Sequence, residues 1–295
     1  MLTRKGGKNM PDFVHLHIHS EYSLLDGANR IKEIPVIAKD LGMKAIAITD
    51  HGAMFGVIDF YKACKANGIK PIIGCEVYVA PRSRKDKDPN IDSKYHHLIL
   101  LAKNQNGYKN LSKLVSLSYT EGFYYKPRID KEILQQYHED LVCCSACLAG
   151  EVNQAILKED MEEAKRVANW YRDIFGEDYY LEIQNNGVKE QALVNQKLIE
   201  IAKELNIPLV ATNDAHYSRR EDAYNHEVLL CIQTGKKMSD EDRMRFDTDE
   251  LYIKSPEEMA DYFENVPEAI ENTVKIAEKC NVEFEFGHTI LPNYD

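Results

Sequence analysis

The sequence predicts an α/β fold: about seven strand-and-helix units forming a parallel sheet that closes into a barrel. Short apolar runs rich in β-branched residues alternate with longer segments whose apolar residues recur at helical spacing. That many units in one run favours a barrel over an open doubly wound sheet, which is the alternative arrangement. In either fold functional groups gather beyond the carboxyl ends of the strands, and the metal-binding residue types of this chain cluster there.

The first unit is a strand over residues 13–19 followed by a helix over 28–41, with apolar residues at Ile31, Ile34, Ile37, Ala38 and Leu41 and a stop at Gly42. The second pairs a strand at 45–49 with a helix at 57–66 that ends before Gly68. A strand at 71–79 follows, then a strand at 98–102 with a helix at 108–118. Next come a strand at 141–147 with a helical region over 152–175, a strand at 179–183 with a helix at 190–205, and a strand at 209–213 with a helix at 220–232. Residues 10–235 therefore read as the barrel. Residues 236–295 break the pattern and read as a C-terminal helical appendage, with a helix near 267–280. Residues 1–9, basic and glycine-containing, read as a flexible extension.

With 295 residues, 44% hydrophobic and 29% charged, the chain can bury a large core. A net charge of −11 argues against gripping a phosphate backbone over the whole surface, though a local basic patch remains compatible with phosphate binding. No apolar run approaches the ~20 residues that span a bilayer, and the N-terminus lacks the apolar segment of a signal peptide, so a cytoplasmic protein with no membrane partner is expected. Seven cysteines, an odd number in a chain without an export signal, fit reduced thiols better than a disulfide framework.

His17 and His19 are one residue apart on a strand, so both side chains share a face and suit one metal or two adjacent ones; a pair of hydrogen-bonded core histidines is the competing reading. His15 lies deeper on the same face and reads as structural. Asp214 and His216 repeat the spacing at the end of Leu-Val-Ala-Thr-Asn. Asp50 and His51 are adjacent and would face opposite ways, His51 as the ligand before the turn at Gly52 and Asp50 as an anchor for a loop. Glu76 follows an apolar strand, as a ligand or a paired charge, and His97 immediately precedes one. Cys144-Ser-Ala-Cys147 is either a redox pair or the source of a single thiolate, and a lone Cys147 ligand with Cys143 and Cys144 in the core is the preferred reading. So many donors exceed one ion and imply two or three divalent metals of the zinc, manganese or iron kind, which activate water for attack at phosphorus. Asp214, His216, His51 and Glu76 are the residues expected at the reacting centre. Lys126 and Arg128, beside Tyr124 and Tyr125, offer charge with aromatic faces for an unpaired base, and Arg219 follows His216 closely.

These residues carry a resemblance. His15-Leu-His-Ile-His-Ser-Glu-Tyr-Ser-Leu-Leu-Asp-Gly27, Ala-Ile-Thr-Asp-His-Gly52, Gly-Cys-Glu76, Tyr-His-His-Leu98, Gly-Phe-Tyr-Tyr-Lys-Pro-Arg-Ile-Asp130 and Thr-Asn-Asp-Ala-His-Tyr217 together resemble the polymerase and histidinol phosphatase (PHP) domain found at the N-terminus of bacterial DNA polymerase III alpha subunits. The resemblance implies a distorted (β/α)7 TIM-like barrel with a trinuclear site whose ligands fall on His17, His19, Asp26, His51, Glu76, His97, Cys147, Asp214 and His216. Asp26 enters through the resemblance alone, since its position otherwise reads as a helix cap. Where the family's site is complete the implied activity is metal-dependent 3′ to 5′ exonuclease proofreading, with a 3′ DNA end as substrate. The implied partners are the remainder of the alpha subunit and a separate proofreading subunit. A metal-braced scaffold and a small-molecule phosphatase of the histidinol phosphatase type are the alternatives.

Overall fold

A computed structural model describes residues 12–287, 289 and 291; the expected extension at 1–9 lies outside the described residues, as do 288, 290 and 292–295 of the expected appendage. The strands are β1 (Ala45–Ile48), β2 (Lys70–Val79), β3 (His96–Ala102), β4 (Arg128–Ile129), β5 (Leu141–Cys144), β6 (Tyr179–Gln184) and β7 (Leu209–Thr212). The helices are α1 (Ile34–Asp40), α2 (Val57–Asn67), α3 (Gln105–Thr120), α4 (Lys131–Gln136), α5 (Glu151–Leu157), α6 (Met161–Phe175), α7 (Lys189–Leu205), α8 (Ala223–Thr234), α9 (Pro256–Tyr262) and α10 (Pro267–Lys279).

One seven-stranded sheet runs β1-β2-β3-β5-β6-β7, with β4 added to the end of β2 beyond β1. Residues 15–19 bridge its two edges. Ala47 N–H donates to His15 O at 2.9 Å and Thr49 N–H to Ile18 O at 2.9 Å on one side, while His19 N–H donates to Ala215 O at 2.9 Å and Ala215 N–H to His17 O at 3.1 Å on the other. The result is a distorted barrel. The expected strand at 13–19 is thus present as a pairing element, but only Ile18 and Ser20 form ladder bridges.

The parallel sheet expected from the alternation is corrected at β3, which runs antiparallel to both β2 and β5. No helix separates β2 from β3, and a strand reached without a crossover helix returns in the opposite direction. The reversal places His97, at the start of β3, on the same rim as the carboxyl ends of β1 and β2. The helix expected at 28–41 begins only at Ile34, because Asn29 pairs with Ser20 and its side chain donates to His19 O and Ala215 O. The helical region at 152–175 is two helices, broken where Glu159 takes φ 59°.

Side chains alternate between two cores with the period of a strand. Ile46, Ile48, Ile73, Leu98, Leu100, Leu181 and Ile183 point outward to Phe60, Leu111, Val167 and Leu198 of the surrounding helices. Ala45, Ala47, Ile72, Ile99, Leu101, Val142, Cys144, Tyr180 and Val210 fill the interior, joined by Ile276, Ala277 and Cys280 at the end of α10. Helix α10 is tied to the barrel by Asn272 Nδ2, which donates to Leu209 O at 2.8 Å, and by Thr273 Oγ1, which accepts from Val14 N at 3.1 Å. Above that apolar interior the inward positions turn polar, at Glu76, His97, Glu182 and Gln184.

Candidate metal centre

The three loops that follow residue 19, β1 and β7 carry four of the nine expected ligands, Asp26, His51, Asp214 and His216. Asp50, buried, accepts from Ser20 N at 2.6 Å, Ser20 Oγ at 2.8 Å and Ser23 Oγ at 2.7 Å, so it holds the loop that presents Asp26. This is the anchoring role expected of the residue beside His51. Gly52 is required at the turn: its φ is +58°, and a Cβ there would meet Tyr78 Cε2 at 2.8 Å. Asp214 itself takes φ 52°, a conformation sparsely used outside glycine, which turns its carboxylate over the barrel mouth.

All nine positions converge. Glu76 Oε1 lies 3.3 Å from His17 Nε2 and 2.9 Å from His97 Nδ1, while its Oε2 contacts His51 Nδ1. Asp26 Oδ2 is 2.9 Å from His51 Nε2 and 3.9 Å from His216 Nε2. Cys147 Sγ is 3.6 Å from His97 Nδ1. Three groups have donor atoms close enough to share one ion: His17, His19 and Glu76; Glu76, His97 and Cys147; and His19, His51 and His216. Glu76 and His19 each belong to two of these groups. The donor chemistry fits divalent metal, and one atom argues for it directly. Asp214 Oδ1 is buried 3.1 Å from His17 Nε2 and 3.0 Å from His19 Nε2, yet it accepts no hydrogen bond. A buried carboxylate oxygen without a well-formed hydrogen bond is costly unless a cation faces it, which is the protonated His17 in the metal-free protein and a metal once His17 gives up its proton.

Two residues went unread in the sequence. Glu182, buried on β6, accepts from His17 Nδ1 at 2.7 Å, Thr212 Oγ1 at 2.5 Å and Gln184 Nε2 at 2.9 Å through Oε1, and from Ala146 N at 3.1 Å through Oε2. This fixes the proton of His17 on Nδ1 and leaves Nε2 facing the cluster. His226 on α8, also buried, places Nε2 3.4 Å from Asp26 Oδ1. The alternation Tyr180, Glu182, Gln184 is the signal that could have found the first, since it puts a carboxylate on the same inward face as Glu76. Nothing in the local pattern around His226 marks it. His15, whose Nε2 bonds to Lys254 O at 2.9 Å, lies away from the cluster, and Cys143 and Cys144 are buried in the two cores.

Burial pulls the His51 imidazole down, but the Glu76 and Asp26 carboxylates outweigh it and raise its pKa to about 10. Burial also opposes the charge on His17, which Asp214 and Glu182 nevertheless hold well above the ordinary histidine value. His19, buried and facing His51 and His216, is pushed down to about 3. Glu76 and Asp214 stay ionised despite burial because imidazoles surround them. Burial with Asp214 and Glu76 nearby keeps Cys147 a thiol.

The basic residues divide. Lys126 lines the cavity over the cluster, its Nζ 5.5 Å from the Tyr78 ring centre. Arg128 does not serve as a phosphate contact: it is fully buried, and its guanidinium donates to the carbonyls of Gly122, Asp92, Arg84 and Asp86. Arg219 borders a different depression, with Ile37 and Leu41, away from the cluster.

A family model described as the PHP domain matches residues 15–186, more than half of the chain. The chain belongs to the PHP domain family. DNA polymerase III subunit alpha of Borreliella burgdorferi is 52% identical over 284 residues, an alignment covering 96% of this PHP chain and 25% of that protein. The subunit of the same name from Treponema pallidum is 51% identical over 284 residues, covering 96% and 24%. That of Thermus aquaticus is 46% identical over 286 residues, covering 95% and 23%. The chain therefore spans about a quarter of the length of the curated relatives it matches. Among solved structures, a two-domain protein from Bacteroides vulgatus containing a predicted PHP-like metal-dependent phosphoesterase is 13% identical at a TM-score of 0.45, covering 92% of this chain and 68% of that one. No helix among the described residues is long and apolar enough to cross a membrane.

Proposed function

We propose that this PHP domain is a metal-dependent phosphodiesterase that removes nucleotides from the 3′ end of DNA, as the proofreading part of a cytoplasmic replicative polymerase alpha subunit. The observation that carries the reading is the sharing of Glu76 and His19 between neighbouring three-donor groups, an arrangement suited to two or three adjacent zinc, manganese or iron ions. The holding residues are His17, His19, Asp26, His51, Glu76, His97, Cys147, Asp214 and His216. Bound divalent ions supply the activation of water at neutral pH and the neutralisation of charge on phosphoryl oxygens.

The chain's own residues do the rest. Glu76, Asp214, His51 and His216 surround the reacting centre and fix its spacing. Glu182 orients His17, His226 steadies Asp26, and Lys126 presents a cation at the mouth to an incoming phosphate. A cavity of about 770 Å³ lies over the cluster, lined by Asp26, His51, Glu76, His97, Asp214 and His216 among others. That is far more room than a phosphate needs, which favours a nucleotide over a small monoester.

Elemental analysis paired with degradation of a mismatched 3′ primer tests the reading. Two or three metals per chain, with digestion lost on chelation and in Asp214→Ala, is the expected result. A metal-replete protein that leaves the primer intact would support instead a scaffold whose ions brace the barrel rim, a reading consistent with the net charge of −11. Release of phosphate from monoesters alone would indicate the histidinol phosphatase type. In the scaffold reading the domain docks the rest of the alpha subunit or a separate proofreading subunit.

A further inference from the structure

Phe55, Tyr119 and Phe123 are 62%, 40% and 50% exposed, although each is a large aromatic side chain with an apolar face. They come from three places, the loop after β1, the last turn of α3 and the loop beyond it, yet their rings form one continuous shelf. The centroids of Phe55 and Tyr119 are 6.3 Å apart, and those of Tyr119 and Phe123 are 6.2 Å apart. All three line the cavity that holds the metal-ligand cluster.

The Tyr78 ring lines the same cavity and stacks over His51, with centroids 6.3 Å apart at an interplanar angle of 17°. Tyr78 in turn carries Lys126 Nζ at 5.5 Å from its centre. One cavity wall thus offers the ligand imidazole, a phenol, a cation and three open aromatic faces. Aromatic platforms beside a backbone-tracking cation are what unpaired nucleobases bind, because every base has a face to stack and none needs a partner strand.

We propose that the Phe55, Tyr119 and Phe123 shelf stacks an unpaired base of a single-stranded end whose scissile phosphodiester lies at the metal ligands, so that the site selects frayed or single-stranded ends over paired ones. This rests on the phosphodiesterase reading and adds the group that recognises the strand. A base inside a duplex has both faces stacked, and a paired terminal base must first give up its partner and its one stacked neighbour before the strand can enter the site, so an unpaired end reaches the shelf at less cost.

The test uses the whole chain with Mn²⁺. Hydrolysis of a single-stranded oligonucleotide is compared with that of an abasic strand of the same length, which has sugars and phosphates but no ring to stack, and quenching of a 3′-terminal 2-aminopurine is read separately as a stacking signal. For Phe55→Ala and Phe123→Ala the expected result is a rise in KM for the oligonucleotide of about 5- to 100-fold, the range that loss of one stacked base gives. Cleavage of the abasic strand should be unchanged and the quench lost, and Phe123→Trp should keep the parent's KM for the oligonucleotide and its quench. Parent-like cleavage and quenching in both alanine variants, or an equal loss on both substrates, would overturn the shelf while leaving the phosphodiesterase reading in place. Quenching that depends on Phe123 without any hydrolysis would uphold the shelf as a strand-binding site and sink the hydrolytic reading. Neither hydrolysis nor quenching by the parent chain would remove both.

Discussion

Glu182 Oε1 accepts a hydrogen bond from His17 Nδ1 at 2.7 Å, deep in the barrel and with both side chains fully buried. The carboxylate does two things to the imidazole: it locks the tautomer and it makes Nε2 a better donor to a metal. Replacement by Gln keeps an acceptor but removes the charge. Glu182→Gln is therefore expected to retain the fold and to weaken metal binding by about 10- to 100-fold, measured by competition with a chromogenic chelator. Unchanged affinity would show that His17 does not depend on this carboxylate.

Metal uptake should displace protons. In the metal-free protein His51, with its pKa raised to about 10, and His17, also raised, hold protons at neutral pH, and Cys147 is a thiol. Each must lose its proton to ligate. Apparent affinity is thus expected to climb as pH rises from 6 to 9, and calorimetry in buffers of different ionisation enthalpy should show more than one proton released per chain. A pH-independent affinity would mean that these groups do not ligate.

The parts of the site that the sequence displayed are those where strand parity and position suffice. All four of His17, His19, Asp214 and His216 sit at the ends of apolar runs; the two-residue spacing puts His17 and His19 on one face, whereas Asp214 and His216 lie past the end of β7, where the φ of 52° at Asp214 and not parity aims the carboxylate. The direction of β3 was not legible, because Leu98-Ile-Leu-Leu reads the same in a parallel or an antiparallel partner. Only the missing helix between residues 79 and 96 hinted at it. Arg128 was misread for a related reason. Its neighbours Tyr124, Tyr125 and Lys126 suggest an exposed basic patch, but the turn through Tyr125, at φ 60°, and β4 carry the guanidinium inward to four carbonyls. Long-range partners of that kind leave no local trace, and the same holds for His226.

His15 makes stability depend on pH. Burial pushes its pKa down to about 4, against 6.5 for the unfolded chain, a cost its one bond to Lys254 O does not offset. Between those values the unfolded state binds the proton and the folded state does not, so stability is full above pH 6.5 and falls as pH drops toward 4. At pH 5 the loss is roughly 2 kcal/mol on the ordinary linkage scale. His15→Gln keeps a donor for Lys254 O and cannot titrate. With chelator present, its urea midpoint is expected to exceed that of the parent at pH 5 by more than it does at pH 7.5. Equal differences at both pH values would exclude His15 as the source.

Lys126 and Arg128 are two residues apart and should fail in opposite ways. Arg128 donates to Gly122 O at 3.1 Å, Asp92 O at 2.7 Å, Arg84 O at 3.0 Å and Asp86 O at 2.9 Å, pinning the long loop between β2 and β3 to β4. Arg128→Met removes all four bonds and leaves several carbonyls without a donor, each costing about 1–3 kcal/mol where water cannot replace it. A loss of at least ~3 kcal/mol in chemical denaturation is expected, with oligonucleotide affinity falling only as far as folding does. Lys126, at the mouth of the cavity, bonds to no buried group among the described residues that its removal would strand. Lys126→Ala should leave the unfolding midpoint within about 0.5 kcal/mol of the parent while weakening oligonucleotide binding and lowering its dependence on salt by about one counterion. If Arg128→Met bound DNA poorly at full stability, or Lys126→Ala lost stability, the division between a structural and a phosphate-facing cation would be wrong. Measuring both variants by denaturation and by salt-dependent binding therefore separates a basic residue that builds the mouth of the site from one that faces what enters it.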